Sequence, residues 1–296
     1  MLVRRFWPND GVGPAPWRDE TEINDCDDRR MKRMSVALVV AGLLSVTIPG
    51  GAVHAASASE SLDSVVQAIK KQFAKKSTVR FSVRRRGGPP LSEDLRISGA
   101  YRFNASGMYA ADLTEISRER AATGRSREIT IGREFYSQGY VRSDEGKYTW
   151  KSPQTLGKWT YGRNFAGVVW GKDLVNGINP GFLELVASYG ATSADGGTFE
   201  GVRTTIHTGT VTVTKLTERQ AGISFDTEEE GVHGGQITWR LWTGPDNLPR
   251  RFHAVMKFTW PEGDEAGTAT MNIVYRGWGT PVKITAPPKR LISDDW

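Results

Sequence analysis

Gln236-Ile-Thr-Trp-Arg-Leu-Trp242, Arg251-Phe-His-Ala-Val-Met-Lys-Phe-Thr-Trp260 and Thr268-Ala-Thr-Met-Asn-Ile-Val-Tyr275 decide the fold. In the first run Ile237, Trp239 and Leu241 alternate with Gln236, Thr238 and Arg240. In the second, Phe252, Ala254, Met256, Phe258 and Trp260 share one parity, and Arg251, His253, Lys257 and Thr259 take the other. In the third, Ala269, Met271, Ile273 and Tyr275 share a face. Successive strand side chains point to opposite faces, so a period of two predicts half-buried antiparallel strands. Gly244-Pro-Asp-Asn247 and Pro261-Glu-Gly-Asp264 have turn chemistry. The stretch from Gly235 to Pro288 therefore reads as a meander with one large apolar face.

Upstream of it, Leu62, Val65, Val66, Ile69 and Phe73 fall on one face of a helix over Ser61–Lys76. Ser59 or Ser61 is the expected cap, and Lys70, Lys71, Lys75 and Lys76 suit its last turn. Val79, Phe81 and Val83 then alternate with Arg80, Ser82 and Arg84, and Arg85 to Pro90 reads as a turn. Leu95, Ile97, Gly99, Tyr101 and Phe103 mark a second strand, and Met108 to Ile116 a third. Arg118 to Arg127 is polar and is expected to be a mobile loop. Ser126–Ile131 and Glu134–Ser137 form a hairpin about Gly132-Arg133, and Gly146 to Trp150 is a short strand. Phe165 to Ile178 is apolar but interrupted by glycine, an irregular crossing. Asn179 caps a helix with Pro180 in its first turn and Gly190 at its stop; Phe182, Leu185, Val186 and Tyr189 form its face. Gly197–Gly209 and Thr210–Leu216 read as strands, and Thr217 to Ala221 as a helical turn. The predicted class is α+β: one curved antiparallel half-barrel sheet wrapped over a few helices.

The first residues read differently. Met31-Lys-Arg-Met34, the uncharged run Ser35–Ile48 and the small residues of Val53-His-Ala55 have the order of a secretory signal peptide, cleaved after Ala55 or, second, after Ala58. The apolar run falls short of a membrane span and ends at Pro49-Gly50-Gly51. Residues 1–30 are expected to be an extension ahead of the true start or disordered, 31–55 the signal peptide, and 56–296 a single domain. The protein is thus expected to be extracytoplasmic.

The formal net charge is +6. Lys/Arg and Asp/Glu are equal in number up to Ala55, so that excess stays with the domain. For an exported protein it points to an anionic membrane surface or an envelope partner and not to nucleic acid. Cys26 is the only cysteine and lies ahead of the signal segment, so no disulfide or thiolate site is expected in the domain. Nucleophile elbow, His-Glu-x-x-His and phosphate-loop patterns do not occur. His207, His233 and His253 are scattered, and the acidic run Asp226–Glu230 beside His233 fits no calcium-loop template. Neither catalysis, nor a cofactor, nor a metal site is expected.

Trp150, Trp159, Trp170, Trp239, Trp242, Trp260 and Trp278 lie in or beside β segments. Such aromatics either fill a core or line an apolar cavity. Trp239-Arg-Leu-Trp-Thr-Gly-Pro-Asp-Asn-Leu-Pro-Arg-Arg251 and Tyr275-Arg-Gly-Trp-Gly-Thr-Pro-Val-Lys-Ile-Thr-Ala-Pro-Pro288 resemble the extracytoplasmic lipid-carrier superfamily of LppX/LprG-like and LolA-like proteins. The resemblance implies a half-open antiparallel barrel over helices, an apolar cavity between them and no catalytic residue. The chain departs from the lipoproteins of that group in having no lipobox cysteine after the apolar run, which favours a released carrier, expected as a monomer.

The expected ligand is a lipid or another apolar small molecule. Its expected walls are Val66, Ile69, Phe73, Phe81, Ile97, Tyr101, Phe182, Tyr189, Trp239, Phe252, Met256 and Tyr275. Two other readings stay open. One is an envelope structural or sensor module with a packed core and a partner on a basic face of Lys70, Lys71 and Arg84–Arg86; the other is a hydrolase with scattered carboxylates.

Overall fold

The computed structural model describes residues 51–87, 94–119, 122–142, 148–150, 158–163, 176–219, 234–259 and 265–293. The extension at 1–30, most of the signal segment, most of the Phe165–Ile178 crossing, Trp260 and the acidic run with His233 lie outside these residues. Helix α1 is Gly51–Ala74. Strands follow at β1 Thr78–Gly87, β2 Asp94–Asn104, β3 Gly107–Glu119, β4 Ala122–Ile131, β5 Glu134–Gln138, β6 Tyr140–Arg142, β7 Tyr148–Trp150 and β8 Thr160–Arg163. Helix α2, Pro180–Ala187, leads to β9 Thr192–Phe199, β10 Val202–Thr212, helix α3 Val213–Arg219, and the closing strands β11 Gly234–Thr243, β12 Pro249–Thr259 and β13 Glu265–Arg276.

All strands but β6 and β7 form one antiparallel sheet in the order β8-β5-β4-β3-β2-β1-β13-β12-β11-β10-β9. The sheet is curved and unclosed, with β8 and β9 at its edges. Among the described residues the only non-sequential junctions in this sheet are β1 beside β13, which joins the two halves of the chain, and β8 beside β5. The expected meander is present, with Ile237 opposite Met256, Trp239 opposite Ala254 and Phe252 opposite Ile273. Its period of two holds throughout: Ile237, Trp239, Leu241, Phe252, Ala254, Met256 and Phe258 are buried, while Gln236, Thr238, Arg240 and Lys257 are exposed.

The helices cover the concave face. Leu62, Val65, Val66, Ile69 and Phe73 of α1 are buried in the same cluster as the inward residues of β1, β2 and β10 to β13. α2 starts as its sequence dictates: Asn179 Oδ1 accepts from Gly181 N at 3.0 Å, and Pro180 occupies the first turn, where no amide partner is needed. Phe182, Leu183, Leu185 and Val186 are buried.

Five local expectations need correction. α1 begins at Gly51, so Ser59 and Ser61 lie inside the helix and not at its start; Ala52, Ala55, Ala56 and Ala58 are strong helix formers that carry it through them. The turn expected at Arg85 to Pro90 does not hold for its first half, because β1 continues to Gly87 with Arg85 opposite Met271; positions 88–90 lie outside the described residues. In the polar stretch Arg118–Arg127 the described residues, 118–119 and 122–127, form a paired ladder, with Arg118 opposite Thr123 and Arg125 opposite Ile116. Backbone hydrogen bonds carry these strands past the end of the apolar core, where side-chain alternation gives no signal. The strand expected over Gly197–Gly209 is cut by a two-residue turn at Glu200 (φ 49°) and Gly201 (φ 78°), the positive-φ pair that matches hairpin twist. Finally, Val213 and Leu216 are helical, in α3, although Val-Thr-Val-Thr reads as alternation.

A second, smaller core covers the opposite face. Ala100, Ala110, Ile129, Tyr136, Trp159 and Ile284 are buried there, with Val282, Leu291 and Ile292 packed against them. Ala100 and Ala110 have the opposite parity to Tyr101 and Ala111, which are in the main core. The chain after β13 turns at Gly277 and Gly279, both at positive φ, and runs across the back of the sheet. Gly279 N donates to Thr78 O at 2.9 Å, and Ser293 N donates to Trp159 O at 2.7 Å. The Pro281–Pro288 tail is thus a strap on the outer face rather than part of the concave wall.

Candidate functional site

The residues expected to wall a ligand site come from separate elements, and the fold brings them together. Val66, Ile69 and Phe73 come from α1, Phe81 from β1, and Ile97 and Tyr101 from β2. Phe182 comes from α2, Trp239 from β11, Phe252 and Met256 from β12, and Tyr275 from β13. All of these are buried and belong to one apolar cluster. Tyr189, just past α2, is half-buried against that cluster, with Lys215 Nζ 4.1 Å from its ring centroid.

The rings meet in specific pairs. Phe182 lies edge-on to Trp239, with centroids 6.2 Å apart, and edge-on to Phe252 at 6.0 Å. Phe81 stacks on Tyr101 with centroids 4.2 Å apart, and Phe73 meets Phe103 at 4.7 Å. Phe103, Phe258 and Ile273 belong to the same interior surface and share its strand parity; the alternation that selected their neighbours also marks them.

The polar atoms inside this surface are few. Tyr275 Oη donates to Asn176 Oδ1 at 2.8 Å, and the same oxygen accepts from Ile178 N at 3.0 Å. This pins the chain entering α2 onto β13. Gly177 lies in that segment, and a Cβ there would come within 2.7 Å of the Phe252 ring. The approach is so close that only glycine fits without a shift. Trp239 is 1% exposed, and its Nε1 has no hydrogen-bond partner among the described residues. A buried donor without a partner costs free energy that a ligand acceptor could recover.

Charge lies at the rim. Lys70 Nζ is 2.6 Å from Glu184 Oε1, joining α1 to α2 at the surface. Arg84 to Arg86 are near the far end of β1, about 20 Å along the strand from the end of α1 at 3.3 Å per residue. Arg84 and Arg86 take the outward parity of β1 and Arg85 the inward one, the side on which α1 packs, so the expected basic face is divided between the two sides of the sheet. His253 is half-buried on the outward parity of β12, as expected. His207 is fully buried instead, between hydroxyls, and burial lowers its pKa to about 4. Among the described residues no group of three or more His, Cys, Asp or Glu is placed to hold a metal ion, and no helix is long and apolar enough to cross a membrane.

Solved structures with some likeness to the chain include LprF from Mycobacterium bovis, with a TM-score of 0.43 and 15% identity over 78% of this chain and 97% of that one. A DUF1329 family protein from Desulfovibrio piger has a TM-score of 0.23 and 9% identity over 76% of this chain and 94% of that one. A LolA superfamily protein from Nitrosomonas europaea has a TM-score of 0.21 and 8% identity over 79% and 98%. No family model and no curated protein matches the chain.

Proposed function

We propose that this is an extracytoplasmic, non-enzymatic protein that binds a lipid or another apolar molecule between the concave face of the sheet and helices α1 and α2. The observation that carries the reading is the single apolar surface that the sheet turns toward those helices, with the unpartnered Trp239 N–H inside it. Each methylene of an acyl chain moved from water onto such a surface contributes about 0.8 kcal/mol. No catalytic group is needed for this. The walls are Val66, Ile69, Phe73, Phe81, Ile97, Tyr101, Phe182, Tyr189, Trp239, Phe252, Met256 and Tyr275. Taking in a chain requires α1 and α2 to part from the sheet; the exposed Lys70–Glu184 pair joins the two helices to each other and does not hold them to the sheet.

A second reading has its own support. The same wall residues already bury one another, which suits an envelope interaction module with a packed core and no ligand.

Native mass spectrometry of the gently purified protein separates the two. A lipid-sized mass that travels with the protein, or that is taken up from added fatty acid or phospholipid, supports the carrier. A protein that carries nothing and takes up nothing overturns it in favour of the packed module.

A further inference from the structure

A cleft of about 520 Å³ opens away from the apolar interior, between α1, the β11–β12 turn and the end of β13. Ala68, Lys71, Gln72 and Lys75 line it from α1. Their spacing of i, i+3, i+4 and i+7 puts them on one helical face, and that face is not the one of Val66, Ile69 and Phe73. The facing wall is Asp246, Leu248 and Arg250, with Gly277 and Trp278 at the end.

The charges are unbalanced. Lys71, Lys75 and Arg250 bring three cations to one carboxylate, Asp246. That carboxylate is already used: its Oδ2 accepts from Arg250 Nη2 at 2.6 Å, and its Oδ1 accepts from Leu248 N at 3.1 Å. Among the described residues no carboxylate pairs with Lys71 or Lys75, whereas their neighbour Lys70 has Glu184. The two ammonium groups are not needed to cap α1 either. The carbonyls of Lys71, Gln72 and Phe73 accept from the amides of Lys75, Ser77 and Lys76 at 2.8 to 3.1 Å.

The floor is apolar and rigid. Leu248 is buried, and Trp278 is half-buried with its Nε1 donating to Pro249 O at 2.9 Å. Phe103 stacks on Trp278 from the core, with centroids 6.0 Å apart. A cleft with free cations on one wall and a fixed indole at its end suits a molecule that carries both an anion and a short apolar stem.

We propose that this cleft binds the anionic head of an amphiphile, a phosphate or carboxylate held by Lys71, Lys75 and Arg250, with the first carbons of its apolar part against Leu248 and Trp278. The site goes beyond the carrier reading and stands without it, because the cleft lies on the flank of α1 away from the interior walls.

The test is isothermal titration of the purified protein with monomeric dihexanoyl phosphatidic acid, dihexanoyl phosphatidylcholine and inorganic phosphate. The comparison variant is Lys71→Gln/Lys75→Gln, both positions being exposed and free of packing. Phosphatidic acid is expected to bind the wild type, and the double variant to bind it at least about tenfold more weakly, as the loss of charge-assisted contacts implies. Phosphatidylcholine and inorganic phosphate are expected to bind the wild type at least about tenfold more weakly than phosphatidic acid does. Equal affinity of wild type and double variant for phosphatidic acid, or no binding at all, overturns the site. Phosphatidylcholine binding as tightly overturns the anion, and inorganic phosphate binding as tightly overturns the amphiphile. A failure here leaves the native mass spectrum unchanged, and an interior that never takes lipid leaves this titration unchanged, so the two ideas fail separately.

Discussion

His207 Nε2 lies 3.0 Å from Oγ1 of Thr243, one strand away, and both side chains are buried. On its other side, Nδ1 is 3.1 Å from Ser193 Oγ on the edge strand β9. The ring thus bridges β9, β10 and β11 through two hydroxyls, each of which can donate or accept to suit a neutral imidazole. Burial disfavours the imidazolium, which is why the folded pKa falls from 6.5 to about 4.

That shift makes stability depend on pH in a definite direction. Above pH 6.5 the histidine is neutral in both states and the stability it lends is full. As the pH falls below 6.5 the unfolded chain takes up a proton that the folded chain refuses, so stability is lost until about pH 4, where both states are protonated. The loss over that window amounts to about 3 kcal/mol at 1.36 kcal/mol per pKa unit. Urea unfolding at pH 7.5 and pH 4.5 reads it. His207→Gln, which cannot titrate, is expected to flatten the difference; an unchanged pH dependence in the variant would remove His207 as its cause.

Thr243→Val keeps the shape of the residue and deletes the hydroxyl. It leaves His207 Nε2 buried without a partner, at a cost of about 1–3 kcal/mol. The expected result is a lower urea midpoint with the same slope, together with intact far-UV circular dichroism. A midpoint within error of wild type would mean that the ring repacks onto another partner.

Gly177→Ala introduces a Cβ 2.7 Å from Phe252. Overpacking of this kind costs about 1–3 kcal/mol. Phe252→Ala in the same chain removes two of the three clashing atoms, Cδ2 at 2.7 Å and Cγ at 2.9 Å, so the double variant is expected to be less destabilised than the sum of the two single changes. Simple additivity would show that the clash is relieved by movement of the 176–179 segment instead.

Lys76 sits at φ 53°, in the left-handed region, just past the end of α1. Ser77 N donates to Gln72 O at 3.1 Å and Lys76 N to Phe73 O at 2.8 Å, the paired bonds of a Schellman stop. Glycine adopts this conformation without the Cβ penalty of about 1–2 kcal/mol. Lys76→Gly is expected to raise the melting temperature by a few degrees, offset in part by the greater backbone entropy of glycine in the unfolded chain. A fall in melting temperature would show that Lys76 makes a contact worth more than the strain.

The burial of most candidate wall residues was readable because strand parity is a local signal. Every wall residue chosen on β1, β2, β11, β12 or β13 shares the inward parity of its strand, and the sheet buries each of them. The paired ladder through Arg118 and Arg125 was not readable, because backbone pairing leaves no mark on polar side chains. The turn at Glu200-Gly201 did carry a signal, in its glycine, but the threonines on either side read as one continuous strand. The cleft beside Lys71 and Lys75 could not be read either: its walls are more than 170 positions apart in the chain and meet only when the β11–β12 turn folds beside α1.

The amino-acid sequence alone determined the element types with strong periods, the inward and outward faces of each strand, and the Asn179-Pro180 start of α2, because each depends on residues a few positions apart. Tertiary structure decided what those faces meet. It paired β1 with β13 and so closed the first half of the chain onto the meander. It laid the Val282–Ile292 strap over the back of the sheet and buried His207 where a surface residue could equally have stood. The reason is physical: periodicity states only that a face avoids water, whereas the partner that covers it is selected by long-range packing, to which neighbours in the chain contribute no information.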